Sequence, residues 1–210
     1  MPYSVQLAEL LCARLCHDLG GPIASLAGAV ELATPDATYL AEIAAASTEL
    51  GLRLRLLRAA FGSRGVQLDL TRLTELAAGV PGGDRVALDL SGLPRDINFP
   101  PALGRMLVNL LLLAPEAMPR GGTLALRQVD DAAILAQIAG RRAAWPKGFA
   151  GYVADPATAR AALAAPRLRL GPWLVLLGAQ LGVRLSLLLP AGNGRGAGAA
   201  PLLLRATAPG

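Results

Sequence analysis

Aromatic side chains make up only 4% of this 210-residue chain, which also has two cysteines, one histidine and a charged fraction of just 17%. Each shortage excludes something. With so few rings, leucine and alanine must fill the interior, and an apolar fraction of 53% is too high for a disordered chain. A lone histidine leaves a zinc site short of ligands. Cys12 and Cys16 precede it as Cys-x-x-x-Cys-His, one residue longer than the haem-attachment motif. On a helix they read as small packing residues. The start, Met1-Pro-Tyr-Ser-Val, has no basic segment and soon reaches Glu9, so no secretion signal is expected. Two cysteines without such a signal point to reduced thiols and a cytoplasmic location. Long apolar runs are lacking too: residues 107–114 are too few to span a bilayer, and Gln180 and Arg184 interrupt residues 173–190. No membrane role is expected. The net charge of +5 rests on scattered arginines, among them Arg53, Arg141 and Arg167. None forms a basic run interleaved with aromatics, which argues against nucleic acid and suits acidic protein partners.

What is present begins with two helical segments. The first spans about residues 4–32 and is broken by Thr34-Pro35-Asp36; the second spans about 37–61 and stops at Gly62-Ser63-Arg64-Gly65. The short connection predicts an antiparallel hairpin. Along the second helix, Leu40, Ile43, Ser47, Leu50, Leu54, Leu57 and Phe61 recur at alternating spacings of three and four, the seam of a coiled coil. One hairpin cannot cover that seam, so a homodimer forming a four-helix bundle is the simplest expectation. Beyond residue 64 the pattern changes. Helices are expected over 68–79, 99–118, 156–164 and 172–182, and strands over 85–90, 123–129, 132–138, 183–189 and 201–206. The fold class is therefore α+β: a hairpin domain at 1–64 and an α/β sandwich at 65–210.

The single histidine lies in Cys16-His17-Asp18-Leu19-Gly20-Gly21-Pro22. On a wheel of about 100° per residue, Leu11, Leu15, Leu19, Pro22, Leu26 and Val30 gather opposite His17. Leu10, Arg14, Gly21, Ala24 and Gly28 fall on its own side. His17 is thus expected to face solvent among small residues that leave room for another protein, with Leu10, Gly21, Ala24 and Gly28 as the partner-binding surface. Asp18 is placed to bond the ring and set its tautomer. Arg14, one turn earlier, is placed to meet a negative group such as a phosphoryl. A surface histidine beside an aspartate can equally mean nothing. Two glycines and a proline inside a helix just after it favour a use.

The stretch from Leu11 to Pro22 resembles the H-box of sensor histidine kinases, a histidine and an acidic residue followed by proline. More closely it resembles ChpT-type histidine phosphotransferases of alphaproteobacteria, whose first helix carries a similar Leu-Cys-x-Arg-x-Cys-His-Asp-Leu. Leu56-Leu-Arg-Ala-Ala-Phe-Gly, residues 109–122 and Leu177-Gly-Ala-Gln-Leu-Gly-Val are similar to that family as well. The resemblance implies that the C-terminal domain is a degenerate, kinase-ATPase-like sandwich of the Bergerat type. In kinases, Asn-Leu-Leu-x-Asn-Ala supplies two asparagines near Mg²⁺; here Asn109-Leu-Leu-Leu-Leu-Ala114 puts Leu113 at the second, and leucine offers a hard cation no oxygen. No Asp-x-Gly-x-Gly follows Ala132. The glycine-rich residues 192–198 precede a strand rather than open a helix, so they read as a loop and not as a phosphate cradle.

The resemblance thus implies a phosphorelay protein, with His17 as phosphoacceptor, Asp18 as its orienting or polarising partner and Arg14 as a phosphoryl contact. It implies no cofactor and no ATP, with Mg²⁺ brought by the receiver. The expected partners are receiver domains of a hybrid histidine kinase and of response regulators. Two alternatives stay open: a receiver-binding scaffold that transfers nothing, and an active kinase with an unusual nucleotide site.

Overall fold

The computed structural model describes residues 2–32, 37–62, 67–82, 85–163, 169–188 and 199–207. Two helices, α1 (Pro2–Leu32) and α2 (Ala37–Phe61), pack along each other as an antiparallel hairpin. Their expected boundaries hold, with α1 starting two residues early. The connection at 33–36 and the stop at 63–65 lie outside the described residues. Pro22 sits inside α1. Having no N–H, it deprives the Asp18 carbonyl of its helical partner.

The rest alternates in the order β1 (Leu68–Asp69), α3 (Leu70–Ala77), β2 (Val86–Gly92), β3 (Asn98–Phe99), α4 (Pro101–Ala117), β4 (Gly122–Asp130), β5 (Ala133–Ala139), α5 (Phe149–Ala154), α6 (Pro156–Ala162), α7 (Leu170–Leu181), β6 (Val183–Leu187) and β7 (Leu202–Ala206). Strands β2-β4-β5-β7-β6 form one sheet in that order, parallel at β2–β4 and antiparallel elsewhere. Alternate residues of the strands carry its buried face. Leu124 opposes Ile138, and Leu126, Ala136 and Leu202 stand abreast, as do Ile134, Leu204 and Leu185. All of these are buried.

Helix α4 is the centre of the core. Every residue from Met106 to Ala114 is buried, so the helix is apolar nearly all round, as a fully enclosed helix must be. It touches α2, α3, α7, β6 and β7. One apolar cluster runs from Leu10 on α1 through Leu56 and Ala60 on α2 and across α4 to Leu204 on β7. The hairpin and the sheet domain thus share a core.

Three local departures from the sequence expectations have plain causes. Residues 68–79 are not helical throughout: Asp69 accepts the Arg72 N–H at 2.7 Å as an N-cap, which leaves Leu68 and Asp69 extended and paired with Phe99 and Asn98. The long helix opens at Pro101 rather than Phe99, because a residue before proline is disfavoured in the helical region. A short helix, α5, stands where none was expected. The C-terminal end of α3 lies so close to α2 that a Cβ on Gly79 would come within 2.5 Å of the Leu52 carbonyl oxygen, so only glycine fits there.

Candidate functional site at the exposed histidine

His17 projects from the middle of α1 with 85% of its side chain exposed, whereas the Asp18 side chain beside it is only 5% exposed. The Asp18 carboxylate is shared between two partners. Oδ1 lies 3.1 Å from Nδ1 of His17, and Oδ2 accepts the Nε–H of Arg14 at 2.7 Å. An ionised carboxylate only accepts, so the bond to the ring places its proton on Nδ1 and leaves the lone pair on Nε2. The imidazole, the carboxylate and the guanidinium all come from one stretch of α1.

Arg14 also reaches out of its own helix. Its Nη1 lies 3.3 Å from Oε1 of Glu116, in the last turn of α4. Burial by itself would lower the pKa of this guanidinium, but its bonds to Asp18 and the charges of Asp18 and Glu116 outweigh burial and raise it. The group is therefore always charged. The negative groups it meets here, Asp18 and Glu116, both belong to its own chain. Sequence reasoning missed Glu116, which lies 102 residues away with no local pattern to mark it.

The four residues expected to face a partner differ in exposure. Gly21 and Ala24 are exposed and Gly28 half-buried. Added Cβ atoms on Gly20, Gly21 or Gly28 would meet nothing within 4 Å, so the packing of this chain does not demand these glycines. Leu10 is a correction. It is 8% exposed and part of the core cluster. It is not available to a partner. Cys12 and Cys16 depart from their expected packing role as well: both are exposed. On the opposite side Leu11, Leu15 and Leu19 pack against the core, but Val30 is 54% exposed.

Asn109, the residue that the sequence resemblance likens to a kinase asparagine, is only 1% exposed. Its Nδ2 donates to the carbonyls of Ala60 at 3.1 Å and Arg105 at 2.9 Å, and its Oδ1 accepts the Trp173 indole N–H at 2.8 Å. The carboxamide thus ties the end of α2 to α4 and α7, beside Phe61, whose ring lies 5.9 Å from that of Trp173. Leu113 is fully buried. Among the described residues, no group of three or more His, Cys, Asp or Glu side chains gathers as a metal site, and no helix is long and apolar enough to cross a membrane. The glycine-rich segment 191–198 lies outside the described residues.

Comparison with known proteins finds similarity over much of the chain. A family model described as the histidine phosphotransferase C-terminal domain matches residues 70–191. The protein phosphotransferase ChpT of Brucella abortus (strain 2308) is 31% identical over 130 residues, which cover 59% of this chain and 61% of that protein. The similarity thus spans less than two thirds of its length. The solved structure of a bacterial phosphotransferase superposes with a TM-score of 0.66 at 25% identity, covering 95% of both chains.

Proposed function

The chain belongs to the ChpT-type histidine phosphotransferase family, and from that premise we propose that it relays phosphoryl groups between receiver-domain aspartates through His17, as a cytoplasmic homodimer that does not bind ATP. The observation that carries this reading is the exposed His17 ring with its Nδ1 held by the buried carboxylate of Asp18.

In the proposed transfer, the Nε2 lone pair of neutral His17 forms the N–P bond as the P–O bond to the receiver aspartate breaks. That aspartate leaves as a carboxylate. The ring keeps its Nδ1 proton and becomes cationic, and Asp18 Oδ1 faces the charge that develops. The reverse step returns the lone pair to Nε2. Such transfers pass through a loose, in-line transition state, so position and charge are what the protein supplies. The receiver brings Mg²⁺. Arg14 holds Asp18, and its N–H groups beyond the two carboxylates are the proposed contact for a phosphoryl oxygen. A receiver would dock over Gly21, Ala24 and Gly28, where the open space beside the glycines supports a close approach.

The absence of nucleotide chemistry is supported by Asn109, whose amide is consumed by structural bonds, and by the buried leucine at position 113. We read the sheet domain as a kinase-like fold that has lost its ATP site and retains receiver-binding surface. Dimerisation is supported by apolar side chains that α1 and α2 leave open, including Ile23 at 50% and Leu40 at 63% exposure.

The test uses a radiolabelled phospho-receiver and, separately, labelled ATP, with wild type, His17→Ala and Gly21→Leu. The relay requires label from the receiver, none from ATP, and loss of label in both variants. Label from ATP alone would mean a kinase. Receiver binding without label would leave a scaffold.

A further inference from the structure

We propose that Glu116 is a positioning residue for transfer at His17, acting through Arg14 and Asp18. The inference rests on the reading of His17 as phosphoacceptor. It adds a residue from the sheet domain to a site otherwise built by one helix.

The chain of contacts is continuous. Glu116 Oε1 lies 3.3 Å from Arg14 Nη1, Arg14 Nε donates to Asp18 Oδ2 at 2.7 Å, and Asp18 Oδ1 lies 3.1 Å from His17 Nδ1. Its two ends differ in rigidity. Glu116 leaves the backbone next to Ala117, which is fully buried, in the last turn of the most enclosed helix of the molecule. His17 stands largely in solvent. A long arginine side chain held by Asp18 alone keeps much of its freedom. A second carboxylate on Nη1, fixed by α4, restricts the guanidinium and with it the direction in which Asp18 Oδ1 points.

Charge supports the same role. Arg14 and Asp18 alone cancel, so a cation growing on the ring would meet attraction and repulsion together. With Glu116 the cluster carries one net negative charge, which favours a cation growing on the ring. Partly exposed pairs of this kind are individually weak, so the expected loss of transfer is modest, about fivefold.

The only imidazole of the chain makes the test clean. Long-range proton–nitrogen correlation spectra of ¹⁵N-labelled full-length protein read the His17 tautomer directly, and single-turnover transfer from a phospho-receiver reads the chemistry. Glu116→Ala should shift the ring toward the Nε2–H form and slow transfer about fivefold with receiver affinity unchanged. Glu116→Gln, which keeps an acceptor for Arg14 but not the charge, should restore the tautomer and only part of the rate. An unchanged tautomer in Glu116→Ala overturns the proposal, whether or not transfer slows. Wild-type protein that takes no label from receivers would overturn the relay reading instead, and the tautomer comparison would still decide whether Glu116 positions the ring.

Discussion

In the proposed relay, transfer at position 17 depends on one proton being kept off one nitrogen. Asp18 would achieve this as a carboxylate that can only accept, with Arg14 on its other oxygen. In Asp18→Asn an amide N–H can turn toward Nδ1, move the ring proton to Nε2 and block the lone pair that attacks phosphorus. Transfer from a phospho-receiver is expected to fall about a hundredfold with the fold retained, since a misassigned tautomer removes most of a general base's or nucleophile's use. Near-wild-type transfer in this variant would mean that Asp18 only anchors Arg14. The pairing of His17 with Asp18 was legible from sequence, because neighbours on a helix have fixed relative directions. The burial of Asp18 was not, since it depends on what lies over that face.

At the scale of elements, α4 ties the molecule together through Asn109. Truncation to alanine leaves the Trp173 indole N–H and the Ala60 carbonyl without this partner inside the core. Asn109→Ala should cost about 2–3 kcal/mol in urea unfolding, the usual penalty for stranding buried polar groups. A cost near zero would show that the amide is not a latch. At the β4–β5 turn, the Arg205 side chain bonds Asp130 Oδ2 at 2.7 Å and the Ala132 N–H bonds Oδ1 at 2.9 Å. Chiefly through the Arg205 bond, the Asp130 pKa lies below its ordinary value. Its contribution to stability is therefore present above the ordinary aspartate range and disappears as pH falls through the lowered value. In Arg205→Ala, a carboxyl NMR titration should find Asp130 ionising at higher pH than in wild type, yet still below its ordinary value because the Ala132 N–H remains. Most elements were legible from period and turn residues. The two-residue pair β1–β3 was not, since strands that short carry no periodicity.

For the whole molecule, the open question of assembly turns on side chains that one chain leaves uncovered. Ile23 and Val30 on α1 and Leu40 and Leu54 on α2 are 43–63% exposed. Covering them is worth about 25 cal/mol for each Å² of apolar surface removed from water. Ile23→Glu should convert a dimer, measured by light scattering, into a folded monomer, because a half-exposed position tolerates charge within one chain but not in a bundle core. A wild-type monomer, or an Ile23→Glu variant that remains a dimer, would place the interface elsewhere.

Sequence by itself determined what local geometry governs: two helices of known length, the face that carries His17, and the carboxylate beside it. Helical spacing and side-chain chemistry settle these over a few residues. Only the tertiary structure decided that Leu10 is covered, that Asn109 is spent on Trp173 and Ala60, and that Glu116 completes the line of charges to His17. The last two join residues dozens of positions apart, where the outcome follows from how elements pack and not from any pattern within one.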